Sequence, residues 1–167
     1  LANSYNPRLK ELMEAPVPDN VEVLIERDVD WPDGSARIMR TSNSHEEREL
    51  PELDSSNPAK FYDFLKWADA NANGKNKLLI INGRSRGWGG VIQDNTIPGE
   101  KDERQTGPMM ALEYASKAVQ ASGLRPDVVL LDAGFMGTVE AIEELKDMAP
   151  YLVVSSGPMP NNGFLAG

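Results

Sequence analysis

The chain has 167 residues, a hydrophobic content of 40%, one histidine, no cysteine and a formal charge of -9 from 17 basic and 26 acidic residues. That length allows one domain with a sizeable core, and residues 1–167 are expected to form it. The absence of cysteine excludes disulfides, thiolate-bound zinc, iron–sulfur clusters and thiol catalysis by these residues. The acidic excess repels a phosphate backbone, and no apolar run approaches the roughly 20 residues of a membrane helix, so neither nucleic acid nor membrane is an expected partner. Because the chain opens on Leu1, it is expected to be a processed product or a fragment, with any targeting signal upstream.

Along the chain, Asn6 to Glu14 reads as a short helix stopped by Pro16-Val17-Pro18. Val21, Val23 and Ile25 alternate with polar residues, which predicts a half-buried strand over 21–27. The turn Trp31-Pro32-Asp33-Gly34 returns the chain into a second strand over Ala36 to Arg40, giving a hairpin. Thr41 to Asn57 is polar and acidic and reads as an exposed connection without a site. It contains His45, too far along the chain from the later loops to act in them and expected to be solvated.

Pro58 opens a helix that Ser56 or Asn57 can cap, with Phe61, Phe64, Leu65 and Ala68 on one face until Asn73-Gly74. Lys77 to Asn82 is an apolar strand that runs into the glycine-rich loop Gly83 to Gly90. Residues 91–107 read as a polar, mobile connection, followed by a helix over Pro108 to Ser122. The strand 127–132 follows, closed by Asp132, then the small-residue turn Ala133-Gly134-Phe135-Met136-Gly137, a helix over Thr138 to Met148 and a strand over Tyr151 to Ser155. Strands alternating with helices predict an α/β fold, a mostly parallel central sheet flanked by helices on both faces and joined by right-handed crossovers. Gly157 to Phe164 is loop chemistry straight after a strand, so the last elements are expected to lie beyond residue 167.

Several segments together resemble the clostripain-like cysteine peptidases. They are Asn20 to Leu24 with Trp31 and Ala36-Arg37; Phe61 to Ala68; Leu78 to Asn82 with Gly87-Trp88; Leu131-Asp132-Ala133 with Met136 to Glu140; Glu144 to Asp147; and Tyr151-Leu152-Val153. The resemblance covers most of residues 20–164 and implies a three-layer caspase–haemoglobinase fold, in a bacterial and extracytoplasmic or secreted setting. It also implies a histidine after one central strand and a cysteine after the next, a thiolate being the nucleophile and needing a basic partner to form. Arg84 stands at the histidine position and Gly134 at the cysteine position. Arginine stays protonated at neutral pH and glycine has no side chain, so that chemistry is closed to this chain. Two altered positions and a changed loop favour natural loss over a single inactivating substitution.

The resemblance assigns Asp132 to a pocket for lysine or arginine side chains, against the plainer reading of a turn or capping residue. Trp88 is either an anchor of its loop or a platform beside that pocket, the resemblance favouring the anchor. Arg84 and Arg86 could hold an anion, although the loop fits no nucleotide-binding fingerprint. Lys101 and Arg104 fall where relatives are implied to be cut during self-activation. Ser85, Ser155 and Ser156 lack a histidine to activate them. No cofactor is implied, and Glu100, Asp102 and Glu103 could at most hold calcium weakly. The expectation is an inactive pseudopeptidase acting as a binding, scaffolding or structural module, whose partner is a basic protein or peptide or a further segment completing the sheet. The alternative is an arginine- or lysine-directed cysteine endopeptidase whose catalytic residues have been altered.

Overall fold

The computed structural model of the chain describes residues 7–28, 34–95 and 107–159. Helix α1 (Pro7–Glu14) is followed by strands β1 (Val23–Asp28), β2 (Ser35–Arg40) and β3 (His45–Leu50), which pair antiparallel in that order. The expected turn at 31–33 lies outside the described residues. The Thr41 to Asn57 segment is not a plain connection: its first half forms β3, paired with β2 from Ser35↔Leu50 to Arg40↔His45. The His-Glu-Glu-Arg-Glu-Leu sequence hides this strand because it is an edge strand with exposed residues along nearly all its length, the charged form that keeps sheet edges from pairing further. Cross-strand ion pairs support the antiparallel sheet. Arg27 Nη2 lies 2.9 Å from Glu47 and 3.5 Å from Glu49, and Arg37 Nε donates to Glu26 at 2.8 Å.

Two contacts tie this antiparallel sheet to what flanks it. The Arg40 guanidinium donates to the carbonyls of Leu12 and Ala15, the second at 2.8 Å, so it satisfies open acceptors where α1 ends. The Arg37 guanidinium lies 5.4 Å from the ring centroid of Trp67 on helix α2 (Pro58–Asn71), a cation–π distance. Helix α2 starts where expected, with Pro58 in its first turn and Asn57 accepting from the Ala59 amide at 2.9 Å.

Strand β4 (Leu78–Asn82) leads to two short strands, β5 (Val91–Gln93) and β6 (Met109–Met110), which pair antiparallel. They replace the connection and the first helical turn expected over 91–110, because Val91 and Met110 are buried apolar residues; residues 96–106 lie outside the described residues. Helix α3 (Leu112–Ser122) therefore begins later than Pro108 and ends at Gly123. Gly123 has φ +94, and a Cβ there would meet Asp69 Oδ2 at 2.8 Å. Glycine adopts that φ without strain and so stops α3 there.

Strand β7 (Val128–Asp132), helix α4 (Val139–Leu145) and strand β8 (Tyr151–Val153) complete the described chain. The α/β fold is as expected, with a parallel sheet of order β4-β7-β8. Two consecutive right-handed crossovers moving the same way across a sheet put their helices on one face. Accordingly Leu79, Ile81, Val129 and Leu131 form one core with Leu65 of α2, Val119 of α3 and Leu145 of α4. The opposite face carries two cross-strand rows, Leu78–Val128–Tyr151 and Ile80–Leu130–Val153, in which Leu78 is 57% and Tyr151 70% exposed. Of the three layers expected, two are present among the described residues, and the second face is apolar without being covered by them.

A separate polar cluster joins the antiparallel sheet to the segment after β5. Ser35 Oγ donates to Asp28 at 2.7 Å, the Leu53 amide donates to Ser35 Oγ at 3.1 Å, and the Ser55 amide donates to the buried Asp94 at 2.8 Å. Both Glu52 carboxylate oxygens are buried there without a hydrogen bond. Burial, with added repulsion from Asp94 and Glu52 and against the Ser35 hydrogen bond, pushes the Asp28 carboxyl up to about 6.

Two outcomes are expected. Leu131→Ala should cost about 2–5 kcal/mol of unfolding free energy and Ile80→Ala less than about 1 kcal/mol, since only the first opens a cavity; denaturant titration measures both, and equal losses would contradict one-sided burial. Because the folded Asp28 binds a proton more tightly than the unfolded one, its contribution to stability is present below about pH 4 and lost as pH rises through about 6. Asp28→Asn should flatten the stability curve across that window relative to the native chain, and an unchanged slope would contradict the assignment.

Candidate functional site

Parallel pairing of β4 with β7 ends on Asn82↔Asp132, so the loops leaving both strands emerge side by side at the carboxyl end of the sheet. Such ends are where ligands gather in open α/β sheets. Asn82 Nδ2 donates to Asp132 Oδ2 at 2.7 Å, and Asp132 is only 6% exposed. The carboxylate that the resemblance assigns to a basic-residue pocket is therefore engaged within the sheet.

The 83–90 loop folds back on itself: Ser85 faces Val91 across an antiparallel bridge, and the Arg86 amide donates to the Gly90 carbonyl at 3.1 Å. Its inward positions lie against the turn after β7. Ser85 Oγ donates to the Gly134 carbonyl at 2.6 Å. Gly87, at φ +58, approaches so closely that a Cβ would stand 3.1 Å from the Phe135 carbonyl. The alternate positions Arg84, Arg86 and Trp88 are exposed, Trp88 by 71%. Trp88 is thus not the buried anchor that the resemblance favours; Val91, fully buried, and the Ser85 contact hold the loop.

The turn itself is closed by backbone. The Phe135 amide donates to the Gly157 carbonyl at 2.9 Å and the Gly137 amide to the Ser155 carbonyl at 2.8 Å, so the turn is tied to the segment that follows β8 in a sense opposite to the parallel β7–β8 register. A Cβ on Gly134 would meet Met159 N at 3.2 Å and Gly157 O at 3.5 Å. The space a nucleophilic side chain would need at Gly134 is bordered by main chain, which yields less readily than a side chain. Phe135 has φ +59, an uncommon conformation for a bulky residue, and its ring is 49% exposed.

Of the sequence-predicted site residues, the structure brings Arg84, Arg86, Trp88, Asp132 and Gly134 to one end of the sheet. Lys101 and Arg104, like the acidic Glu100, Asp102 and Glu103, lie outside the described residues. His45 is on β3, its Nε2 3.6 Å from Glu47 Oε2. Ser155 uses its hydroxyl on the Gly157 carbonyl at 3.1 Å. Among the described residues no three His, Asp or Glu side chains are arranged to hold a metal ion, and no helix is long and apolar enough to cross a membrane. Asn82 and Phe135 shape the site and were not singled out for it in the sequence, where Ser85 was weighed only as a nucleophile; the one available signal was their place immediately beside the two glycine-rich turns.

This is a parallel α/β unit whose carboxyl-end loops form a site with a carboxylate, two guanidinium groups and aromatic rings but no thiol. The sequence matches the clostripain family, the C11 peptidases, over residues 5–165, and the chain belongs to that family. No curated protein matches it. A secreted C11 cysteine protease from Bacteroides thetaiotaomicron, solved with an irreversible peptide inhibitor, superposes with a TM-score of 0.70 at 18% identity over 96% of this chain and 46% of that one. An inactive zymogen C11 protease from Parabacteroides distasonis does so with a TM-score of 0.66 at 15% identity over 97% of this chain and 47% of that one. The chain thus spans less than half the length of these solved relatives.

Removing the Ser85 hydroxyl should separate the two loops. Ser85→Ala is expected to cost about 1 kcal/mol and to speed hydrogen exchange at the Phe135 and Gly137 amides more than at the amides of β7; unchanged exchange at the turn would show that Ser85 does not hold it.

Proposed function

We propose that this clostripain-family chain carries no peptidase chemistry of its own and serves as a binding or scaffolding module. The observation that carries the reading is the backbone closure at Gly134. The position that the resemblance gives to the nucleophile has no side chain, and main-chain atoms of residues 157–159 border the space where one would stand. The chain also has no cysteine at all, and Arg84, at the position that the resemblance gives to the base, carries a guanidinium, which has donors and no acceptor.

The site nevertheless keeps features of recognition, because exposed aromatic and arginine side chains surround the turn. A pocket for lysine or arginine side chains at Asp132 would have to open by displacing Asn82 from that carboxylate. By its likeness to a secreted relative, the domain is proposed to act outside the cytoplasm, on a peptide or protein partner.

Incubation of the purified chain with lysyl and arginyl peptide reporters is expected to give no turnover above that of buffer. Turnover that disappears on substitution of a residue of this chain would overturn the proposal. The double variant Gly134→Cys with Arg84→His is expected to remain silent too, since the new Cβ meets Met159 N at 3.2 Å; strong arginine-directed cleavage would instead favour the altered-peptidase alternative.

A further inference from the structure

Asn-Gly pairs occur three times, at 73–74, 82–83 and 162–163. The last lies outside the described residues, and the structure gives the first two opposite settings. In such a pair the backbone nitrogen of the glycine can attack the asparagine side-chain carbon, because no Cβ hinders the approach. Asn82 closes β4 in parallel register with Asp132 and donates to it at 2.7 Å. Its extended backbone turns the Gly83 nitrogen away from the side-chain carbon, and the ladder to β7 holds that conformation.

Asn73 stands instead in the connection from α2 to β4, exposed and outside every helix and strand. Gly74 is exposed too and is not among the glycines of positive φ. A Cβ on it would meet only Asn76 O, at 3.5 Å, an ordinary contact. Neither backbone conformation nor packing therefore requires a glycine at 74.

One carboxylate restrains this pair. Glu22, just before β1, accepts from the Asn73 amide at 2.8 Å and from Asn73 Nδ2 at 3.2 Å, and the Gly74 amide faces it as well. The carboxylate thus engages both groups that would react, the side-chain amide and the following nitrogen. It also clasps the entry to β1 against the exit of α2. Glu22 is exposed like its partners, and surface hydrogen bonds of this kind open by local fluctuation.

We propose that Asn73-Gly74 is a self-modification site and that Glu22 makes it a one-way latch. When the clasp opens, the Gly74 nitrogen gives its proton to water or hydroxide and bonds to Asn73 Cγ. The Cγ–Nδ2 bond breaks, and Nδ2 takes a proton and leaves as ammonia, which closes a succinimide ring. Water then adds to either ring carbonyl and opens it, leaving aspartate or isoaspartate at position 73. The net change is water consumed and ammonia released. A carboxylate now stands where Nδ2 donated to Glu22, and repulsion between the like charges keeps the clasp from closing again.

The test ages the purified chain in mildly alkaline buffer and maps its peptides by mass spectrometry, with electron-transfer fragmentation to separate isoaspartate from aspartate. Modification at Asn73 is expected to be several-fold faster than at Asn82. Gly74→Ala, which the open space tolerates, should suppress it, and Glu22→Ala should speed it several-fold by removing the restraint. In the aged chain and in Asn73→Asp, hydrogen exchange at the position 73 amide should rise about fivefold or more, the loss of a hydrogen bond, while the amides of β4 stay protected. Circular dichroism checks that each variant keeps the fold. Equal rates at Asn73 and Asn82, or no modification at Asn73, would overturn the proposal. So would a rate unchanged by Glu22→Ala, or one slowed by it, which would make the carboxylate a base rather than a restraint. Native exchange at position 73 in the aged chain would remove the latch.

Discussion

Parallel pairing of Leu78–Asn82 with Val128–Asp132 is the contact on which the rest depends. It aligns two apolar strands so that their alternate residues enter one core under α2, α3 and α4, and it delivers both following loops to the same end of the sheet. A shift of one residue would turn Leu79, Ile81, Val129 and Leu131 out of the core, so burial and site geometry are set by a single register. The Asn82–Asp132 and Ser85–Gly134 hydrogen bonds are consequences of that register, since they join residues some fifty positions apart that the pairing has placed together.

Two features of this end of the sheet bear on nucleophilic chemistry. One is chemical: neither a thiol nor a neutral base is present at the positions that the family resemblance singles out. The other is steric: the Phe135 and Gly137 amides donate to the Gly157 and Ser155 carbonyls, and main chain of residues 157–159 lies within 3.5 Å of where a Gly134 Cβ would stand. Glycine suits such packing because it asks for no room. On the outer side of the neighbouring loop Arg84, Arg86 and Trp88 are exposed.

The long elements were legible because their signals are local. Asn57-Pro58 marks the start of α2, and Phe61, Leu65 and Ala68, on one face, are the residues it buries. The apolar runs in β4 and β7 read as strands, with ends within a residue of those observed. Strand β3 was not legible, because an edge strand stabilised by Arg27–Glu47 and Arg27–Glu49 pairs has the composition of a loop. Nor were β5 and β6, each too short to show a period, whose pairing depends on Val91 and Met110 meeting across an intervening stretch of sequence. Which face of the sheet the described helices cover also escaped the sequence: Leu78 and Ile80 are as apolar as Leu79 and Ile81, and topology decides which pair those helices bury.

By itself the sequence determined the order of the long helices and central strands, the family, and the absence of a thiol from these residues, because each is a matter of residue identity or local periodicity. Tertiary structure decided the use of what remained. Asp132 is withdrawn behind Asn82, Trp88 is turned outward from its loop and Gly134 is backed by main chain, since each outcome depends on which distant segment the parallel register sets alongside.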